Sequence, residues 1–439
     1  MKWDLDIVAS AAGGKAGGSA MVTSVVTDSR LAGKGVLFVA LEGERRDGHD
    51  FVDEAIAAGA AVMVRAGALP DGAAGVEVAD TLASLRRLAE RRRRELAMPV
   101  VGITGSNGKT TTKDMLAAAL GPGAHKSPQS FNNEIGVPLT ILGTPDGATA
   151  VVAEVGSRGI GHISLLAAAV QPDVAVITNV ERAHLEMFGD AATILDAKWE
   201  LVEALPPGGT AILPIRDQRL TSRRVGPMLT FGEDPSADVS AVAVALGEDG
   251  RAACTLSFRG RSVAVRMAMA GRHQPGNLAA AVAAAVALGT DFEEAAGRAA
   301  AAAGSAWRME IHPGRFTVVN DAYNANPDST AAALATVAAM PGRHVAVLGK
   351  MHELGEGEAA GHREVGARAR ALGFAAVVVV GDAPGIAEGA GPIARVVADI
   401  DQAESVLRGY LAAGDVVLVK ASRAVGLEVL AARLRGAAS

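Results

Sequence analysis

The chain has little of what a secreted, disulfide-bonded or membrane-spanning protein needs. Among its 439 residues cysteine occurs once, at Cys254, which excludes a disulfide framework and a cysteine metal site and fits a reducing compartment. No run approaches the roughly 18 uninterrupted apolar residues that span a bilayer. The first six residues carry acids where a signal peptide needs an apolar segment. These absences predict a cytoplasmic protein.

Aromatic residues are also scarce, at 3%, whereas 49% of the chain is apolar, so its cores must be built mainly from Ala, Val and Leu. The net charge of -6 gives no sign of a nucleic-acid surface. One dense basic cluster lies on a predicted helix over residues 81–97. Its arginines are interpreted as a solvated face rather than a binding patch, opposite a buried stripe. The arginines are Arg86, Arg87 and Arg91 to Arg94, and the stripe is Leu82, Leu85, Leu88 and Leu96.

The chain is too long for one core and divides into three blocks, residues 1–97, 98–310 and 311–439. Each block alternates strand-like runs with helical ones, which predicts an α/β fold with parallel sheets and ligands at the carboxyl ends of the strands. Between about 229 and 270 the pattern becomes β-rich, which predicts an antiparallel edge on a mostly parallel central sheet. The predicted strands are 36–40, 61–65, 100–104, 151–155, 174–178, 210–213, 317–320, 344–348, 375–380 and 416–420, and the alanine runs 279–285 and 299–303 are interpreted as packed helices.

The most informative segment is a glycine-rich turn between the strand-like run 100–104 and a helical pattern over 110–120. Such a turn directs backbone N–H groups and the positive end of the helix dipole at one point, which suits a polyphosphate. Lys109 adds a positive charge, and Thr110 adds a hydroxyl for a magnesium ion. Ile103 stands where the usual loop begins with glycine, so only the compact form of the motif is present. We predict nucleotide binding by Gly105, Ser106, Asn107, Gly108, Lys109, Thr110 and Thr111.

Three further residues are candidates for the same site. Glu154 ends an apolar run, a position that usually holds magnesium in a phosphate-loop domain, and an incidental strand-end glutamate is the alternative. His184 follows another buried strand and so lies at the same edge, although a lone loop histidine is usually only solvated. Lys198 lies on a helical run, and its spacing alone indicates an ordinary surface lysine.

Two polar segments follow. Asn277 stands before the alanine-rich helix predicted over 278–288, where it either caps that helix or reads the edge of a base with its amide. Residues 319–329 form a strand end, a polar loop and a helix start. Asp and Asn often make local turns at such ends, but their number here, together with Tyr323, favours a ligand-facing loop.

Together these segments resemble the Mur ligase family, ATP-dependent enzymes that build the peptide of the bacterial cell-wall precursor. The resemblance covers nearly the whole chain. Segments 27–30 with 47–51, 132–139 and 323–328 are most similar to the member that adds D-alanyl-D-alanine to a UDP-N-acetylmuramoyl-tripeptide. The member that adds diaminopimelate or lysine typically has Tyr-Ala-His-Thr-Pro where this chain has Tyr-Asn-Ala-Asn-Pro, and it often carries an Asp-Asn-Pro-Arg motif that this chain lacks. Lys350 replaces the acid of the family's Leu-Gly-Asp-Met-x-Glu-Leu-Gly, so that acid's role does not carry over.

The resemblance implies a UDP-sugar-binding domain over 1–97, a central ATP-binding P-loop domain over 98–310 and a C-terminal Rossmann-like domain over 311–439. It implies ATP and Mg²⁺, an acyl-phosphate intermediate and a catalytic set of Lys109, Glu154, His184 and Lys198. Thr110, Glu154, His184 and a carbamylated Lys198 would bind magnesium, and Asn277, Arg308 and Asp321 would contact adenine, phosphate and ribose. Substrate contacts would come from Ser29, Arg30, Asn133, Asn324, Asn326, Lys420, Ser422 and Arg423. We expect a monomer with no nucleic-acid partner and no membrane insertion.

Two alternatives stay open. One is another amide ligase of the superfamily, such as a folylpolyglutamate synthetase or a Mur ligase that adds a different residue. Segments 47–51 and 323–328 argue against it. The other is a nucleotide-gated binding module that hydrolyses ATP slowly, in which a second magnesium set at His184 and Lys198 would be superfluous. The sequence does not distinguish lysine from diaminopimelate as the third residue of the tripeptide.

Overall fold

The computed structural model describes residues 1–43, 46–181, 191–223 and 226–438. Its N-terminal part contains a five-stranded sheet of order β2-β7-β6-β5-β4, in which β4 to β7 are parallel and β2 is antiparallel, and a separate β1-β3 pair. The strands are β1 (Trp3–Asp4), β2 (Lys15–Gly17), β3 (Met21–Val22), β4 (Ser24–Val26), β5 (Val36–Val39), β6 (Ala61–Arg65) and β7 (Gly75–Val78). The helices are Leu5–Ala12, Val52–Ala57 and Thr81–Glu95.

The central sheet has nine strands in the order β16-β15-β14-β13-β12-β11-β8-β10-β9. Its strands are β8 (Val100–Thr104), β9 (Ala124–Lys126), β10 (Ala150–Glu154), β11 (Val174–Ile177), β12 (Thr210–Pro214), β13 (Met228–Gly232), β14 (Val239–Leu246), β15 (Arg251–Phe258) and β16 (Arg261–Ala270). β8 to β14 are parallel, whereas β15 and β16 join the sheet by antiparallel pairing, so the predicted antiparallel edge is present. The helices are Lys109–Leu120, Gly136–Leu142, His162–Val170, Ala191–Glu203, Gln218–Thr221, Gln274–Ala287 and Phe292–Ala300.

The C-terminal part contains a six-stranded sheet of order β17-β18-β22-β19-β20-β21, parallel except for β17. Its strands are β17 (Glu310–His312), β18 (Thr317–Asn320), β19 (His344–Gly349), β20 (Ala376–Val380), β21 (Ala394–Val397) and β22 (Val416–Lys420). The helices are Pro327–Ala338, Glu358–Ala371, Pro384–Ala390, Ile400–Tyr410 and Glu428–Ala438. The predicted α/β class with mostly parallel sheets is confirmed. Two of the three large sheets fall within one block each, whereas β17 of the third sheet begins at Glu310, the last residue of the second block. The block boundaries themselves stay predictions.

Two helix predictions were wrong in detail. The helix predicted over 278–288 begins one turn earlier, at Gln274, with Pro275 in its first turn. Proline is favoured there because its missing N–H is unpaired at a helix start anyway. Asn277 is therefore not the N-cap. Of the alanine run 299–303, only the first two residues are helical, because the helix Phe292–Ala300 ends at Ala300.

The basic helix Thr81–Glu95 is not simply solvated on its arginine face, and that interpretation was wrong for two arginines. Arg92 is 4% exposed and donates to the Thr144 carbonyl at 2.8 Å. Arg93 donates to the Val170 carbonyl at 2.9 Å and forms an ion pair with Asp173 at 2.9 Å. Leu82, predicted to be buried, is 37% exposed. The reason is tertiary: the helix packs on Leu5–Ala12 of the N-terminal part and on Gly136–Leu142 and His162–Val170 of the central part, so more than one of its faces is covered.

The hydrophobic cores show how the domains are joined. One cluster runs from Trp3 and Leu85 of the N-terminal part to Val151 and Leu201 of the central part, so packing fixes these two units together. The C-terminal sheet carries separate clusters on its two faces. Within the described ranges, no helix is both long enough and apolar enough to cross a membrane.

Candidate active site

A cleft of about 600 Å³ lies between the carboxyl ends of the central strands and the facing loops of the C-terminal domain. It brings together most of the predicted site. The predicted site residues on its lining are Gly105 to Thr111, Asn133, Glu154, Lys198, Asn277, Arg308, Asp321, Asn324, Asn326 and Lys420.

The phosphate loop, residues 105–111, follows β8 and needs glycine at two positions because neighbouring side chains approach its backbone closely. Gly105 has φ +148°, and a Cβ there would lie 1.9 Å from Thr178 Oγ1. Gly108 has φ +80°, and its Cβ would lie 2.4 Å from Asn277 Oδ1. The Asn107 N–H donates to Asn179 Oδ1 at 2.8 Å. The loop is therefore held between the end of β11 and the helix Gln274–Ala287.

Lys109 places its ammonium inside this loop. Its Nζ donates to the Gly105 carbonyl at 2.6 Å and to the Ser106 carbonyl at 3.2 Å. Burial lowers the pKa of Lys109, while the Glu154 carboxylate acts in the opposite direction. An anionic phosphate beside this ammonium would favour its charged form and so bind strongly.

Thr110 and Glu154 meet at the floor of the cleft. Thr110 Oγ1 donates to Glu154 Oε2 at 2.8 Å, and Asn132 Nδ2 donates to Glu154 Oε1 at 2.8 Å. Glu154 is 1% exposed, so this carboxylate is buried and oriented on both oxygens. A hydroxyl and a carboxylate are the oxygen ligands that magnesium prefers, so the pair fits that ion.

Lys198 is buried on the helix Ala191–Glu203 and faces the cleft. Burial, followed by the charge of Lys109, lowers the pKa of Lys198 to about 7. Its spacing alone indicated a surface lysine, which was wrong, because packing of the helix decides which of its faces is covered. His184 lies outside the described residues.

The C-terminal domain touches the phosphate loop directly. Asn326 Nδ2 donates to Asn107 Oδ1 at 2.8 Å. Lys420 is buried on β22, and its Nζ donates to Asp321 Oδ2 at 2.6 Å and to the Asn324 carbonyl at 2.8 Å. The polar loop after β18 is thus held in place by Lys420 of β22, and it contacts the phosphate loop.

Arg308 lies at the junction of the two domains. Its Nη2 donates to Thr110 Oγ1 at 2.9 Å, and its guanidinium stacks over the Tyr323 ring at 4.0 Å. Its Nε is buried and has no hydrogen-bond partner among the described residues. Trp307 and Met309 on either side have φ +60° and +51°, uncommon values for such residues. The domain junction therefore places the Arg308 guanidinium at the cleft, with its Nε donor unpaired among the described residues.

Some predicted substrate residues are not on the lining. Ser29 and Arg30 lie in a short 3-10 helix of the N-terminal domain, where Arg30 pairs with Asp28 at 2.5 Å. Ser422 Oγ accepts from the His352 N–H at 2.9 Å, and Arg423 stacks on the Trp307 ring at 4.1 Å. Their roles stay predictions, as does that of Asn133.

Sequence reasoning missed three polar residues of the site. Asn132 orients Glu154, and its place in segment 132–139 could have singled it out. Glu181 Oε2 accepts from Asn107 Nδ2 at 2.5 Å, and burial raises the pKa of Glu181. Lys113 is 1% exposed, with Nζ 4.0 Å from Glu154 Oε2. No local pattern identifies these last two residues, because their partners are distant in the chain.

Three family models match this chain: the Mur ligase family, catalytic domain over residues 21–93, the Mur ligase middle domain over 103–285, and the Mur ligase, glutamate ligase domain over 307–423. A UDP-N-acetylmuramoyl-tripeptide--D-alanyl-D-alanine ligase of Mycobacterium bovis is 38% identical over 93% of this chain and 91% of that protein.

Solved structures are similar over almost the full length. One is the UDP-N-acetylmuramoylalanyl-D-glutamyl-2,6-diaminopimelate--D-alanyl-D-alanyl ligase of Acinetobacter baumannii, with a TM-score of 0.89, 30% identity and 99% of each chain covered. Another is the MurF ligase of Thermotoga maritima in complex with ADP, with a TM-score of 0.84, 29% identity, and 94% of this chain and 97% of that chain covered.

Proposed function

The chain belongs to the Mur ligase family, and we propose how its cleft performs the ligation. The reaction is the ATP-dependent addition of D-alanyl-D-alanine to UDP-N-acetylmuramoyl-tripeptide, a step of peptidoglycan precursor synthesis. One observation supports this assignment of the site most strongly. The phosphate loop, the Thr110–Glu154 pair and Lys198 meet the loops of the C-terminal domain in a single cleft.

The chemical problem is that a carboxylate is a poor electrophile. We propose that the γ-phosphoryl group of ATP is first transferred to the tripeptide carboxylate, which forms an acyl phosphate and ADP. Both reactants are anions, and their repulsion must be offset by fixed positive charge. Lys109 and Arg308 supply such charge at the phosphate loop, and the unused Nε donor of Arg308 supports a role in phosphate binding.

Magnesium would be held by Thr110 and Glu154, whose oxygens fit it, and by a carbamylated Lys198. When bound, the ion supplies positive charge that polarises the phosphoryl oxygens. An ammonium at Lys198 would repel magnesium, whereas a carbamate adds an anionic oxygen. A lysine with a pKa of about 7 is neutral often enough to react with carbon dioxide, which supports this modification.

The second step is attack of the dipeptide amine on the acyl phosphate, with phosphate leaving from a tetrahedral intermediate. Water would hydrolyse the acyl phosphate, so the cleft must exclude it. The Asn326–Asn107 hydrogen bond closes the C-terminal domain onto the phosphate loop at this point. We further propose that Asn277, which packs against Gly108, contacts adenine, and that Asp321 contacts the ribose. A cytoplasmic location and a monomeric state stay predictions from the sequence.

The test is phosphate release from ATP, measured with each substrate alone and with both together. We expect release above background only when the UDP-linked tripeptide and D-alanyl-D-alanine are both present, with a product whose mass is their sum less water. ATP hydrolysis without either peptide would favour a regulatory module. Ligation of glutamate to a folate would favour the folylpolyglutamate class.

A further inference from the structure

A cluster of charged side chains lies beside the cleft on the central domain. Arg158 lines the cleft on the loop after β10, and its side chain is 61% exposed. Its Nη1 is 3.6 Å from Glu134 Oε1. Glu134 Oε1 is in turn 2.9 Å from Nε2 of His162, which also lines the cleft. A cationic and an anionic group are thus presented side by side.

The cluster is tied to the floor of the site through Asn132. The Gly156 N–H donates to the Asn132 carbonyl at 2.8 Å, and the Asn132 amide orients Glu154. Arg158 follows Gly156 by two residues, and Glu134 follows Asn132 by two. The loops that carry Arg158 and Glu134 are therefore joined beside Glu154, where the proposed function places phosphoryl transfer to the tripeptide.

The cluster also lies on the side of the cleft nearer the N-terminal domain. Glu134 lies two residues before the helix Gly136–Leu142, and His162 begins the helix His162–Val170. Both helices pack against the helix Thr81–Glu95, whereas the opposite wall of the cleft is built from C-terminal loops such as 323–326. The family resemblance predicts the UDP end of the acceptor on the N-terminal domain, and with that orientation its third residue would pass this pair.

We propose that Arg158 and Glu134 select the third residue of the acceptor, and that they favour a side chain ending in a carboxylate and an ammonium on one carbon, as in 2,6-diaminopimelate. The inference rests on the proposed function. A guanidinium binds a carboxylate through two parallel hydrogen bonds, and Glu134 is placed to accept from the ammonium. The pair at 3.6 Å is long and partly exposed, so exchanging it for the two ligand charges costs little. A lysine side chain ends in an ammonium alone and would leave Arg158 without an anion.

The experiment compares kcat/KM for two acceptors, the UDP-linked tripeptides ending in diaminopimelate and in lysine, under otherwise equal conditions. We expect the unmodified enzyme to prefer diaminopimelate by roughly tenfold or more, because even one of the two charge-assisted hydrogen bonds to the carboxylate provides discrimination of that size. Arg158→Gln should reduce this ratio to near one, mainly through the KM for the diaminopimelate acceptor. Arg158→Lys, which keeps the charge but not the paired geometry, should retain part of it.

Two further variants distinguish a change in acceptor preference from a general loss of ligase activity. Glu134→Gln should weaken both acceptors, because both present an ammonium. Arg94→Gln, at an exposed site on the helix Thr81–Glu95, is the matched arginine control and should leave the ratio unchanged. A preference for lysine, or an unchanged ratio in Arg158→Gln, would overturn the proposal. Absence of ligation with either acceptor would instead contradict the proposed function.

Discussion

Replacing Lys109 with alanine is expected to lower kcat by about a hundredfold or more while leaving the fold intact. The ammonium is held between the Gly105 and Ser106 carbonyls at the centre of the phosphate loop. Loss of one fixed charge that stabilises the transferring phosphoryl group costs roughly 3 kcal/mol or more. The measurement is kcat for phosphate release with both peptides at saturation, together with thermal unfolding.

Lys15→Ala provides the matched control, because Lys15 is exposed on β2, outside the cleft lining. This variant should retain wild-type kcat. If Lys109→Ala keeps more than about a tenth of wild-type kcat, the charge of Lys109 is not needed for phosphoryl transfer.

Replacing Lys198 with alanine is expected to abolish most activity, and short carboxylates such as formate or acetate should restore part of it. The reason is that the exogenous carboxylate can occupy the space of the carbamate and supply its anionic oxygen. Lys198→Arg is the matched variant, since arginine keeps a cation and fills that space. It should be inactive and should not respond to carboxylate.

The pH dependence of the unmodified enzyme follows from the lowered pKa of Lys198. Carbamate formation needs the neutral amine, whose fraction rises as pH increases through about 7 and falls below it. Activity in carbon-dioxide-depleted buffer should therefore be restored by bicarbonate more completely at pH 8 than at pH 6. The proposed carbamate would be contradicted if no carboxylate concentration restored activity to Lys198→Ala and if bicarbonate did not change the activity of the unmodified enzyme.

The phosphate loop could be predicted from sequence because its geometry is local. A buried strand, a turn that needs glycine at Gly105 and Gly108, and a helix start are all encoded within a dozen residues. Glu154 followed from the same reasoning, since parallel strands bring their carboxyl ends to one edge. The contact of Glu154 with Thr110, which supports the proposed magnesium site, could not be predicted from the sequence.

The sequence did not predict the residues whose role depends on packing between elements that are distant in the chain. Lys198 and Arg92 both read as solvated side chains on helices, yet both are buried, because another layer of the protein covers those helix faces. Asn132 and Lys113 act on Glu154 from elsewhere in the chain, which hydropathy patterns do not report. The Asp321–Lys420 pair likewise joins the loop after β18 to β22, although the two residues are 99 positions apart in the chain.

The central claim is that the cleft around Lys109, Glu154 and Lys198 activates the acceptor by phosphorylating its carboxylate. It is tested most directly with UDP-N-acetylmuramoyl-tripeptide carrying ¹⁸O in both oxygens of the reacting carboxylate, incubated with ATP and D-alanyl-D-alanine. Transfer through an acyl phosphate predicts one ¹⁸O in each phosphate released as amide forms. Phosphate that contains no ¹⁸O, while the amide product accumulates, would contradict it.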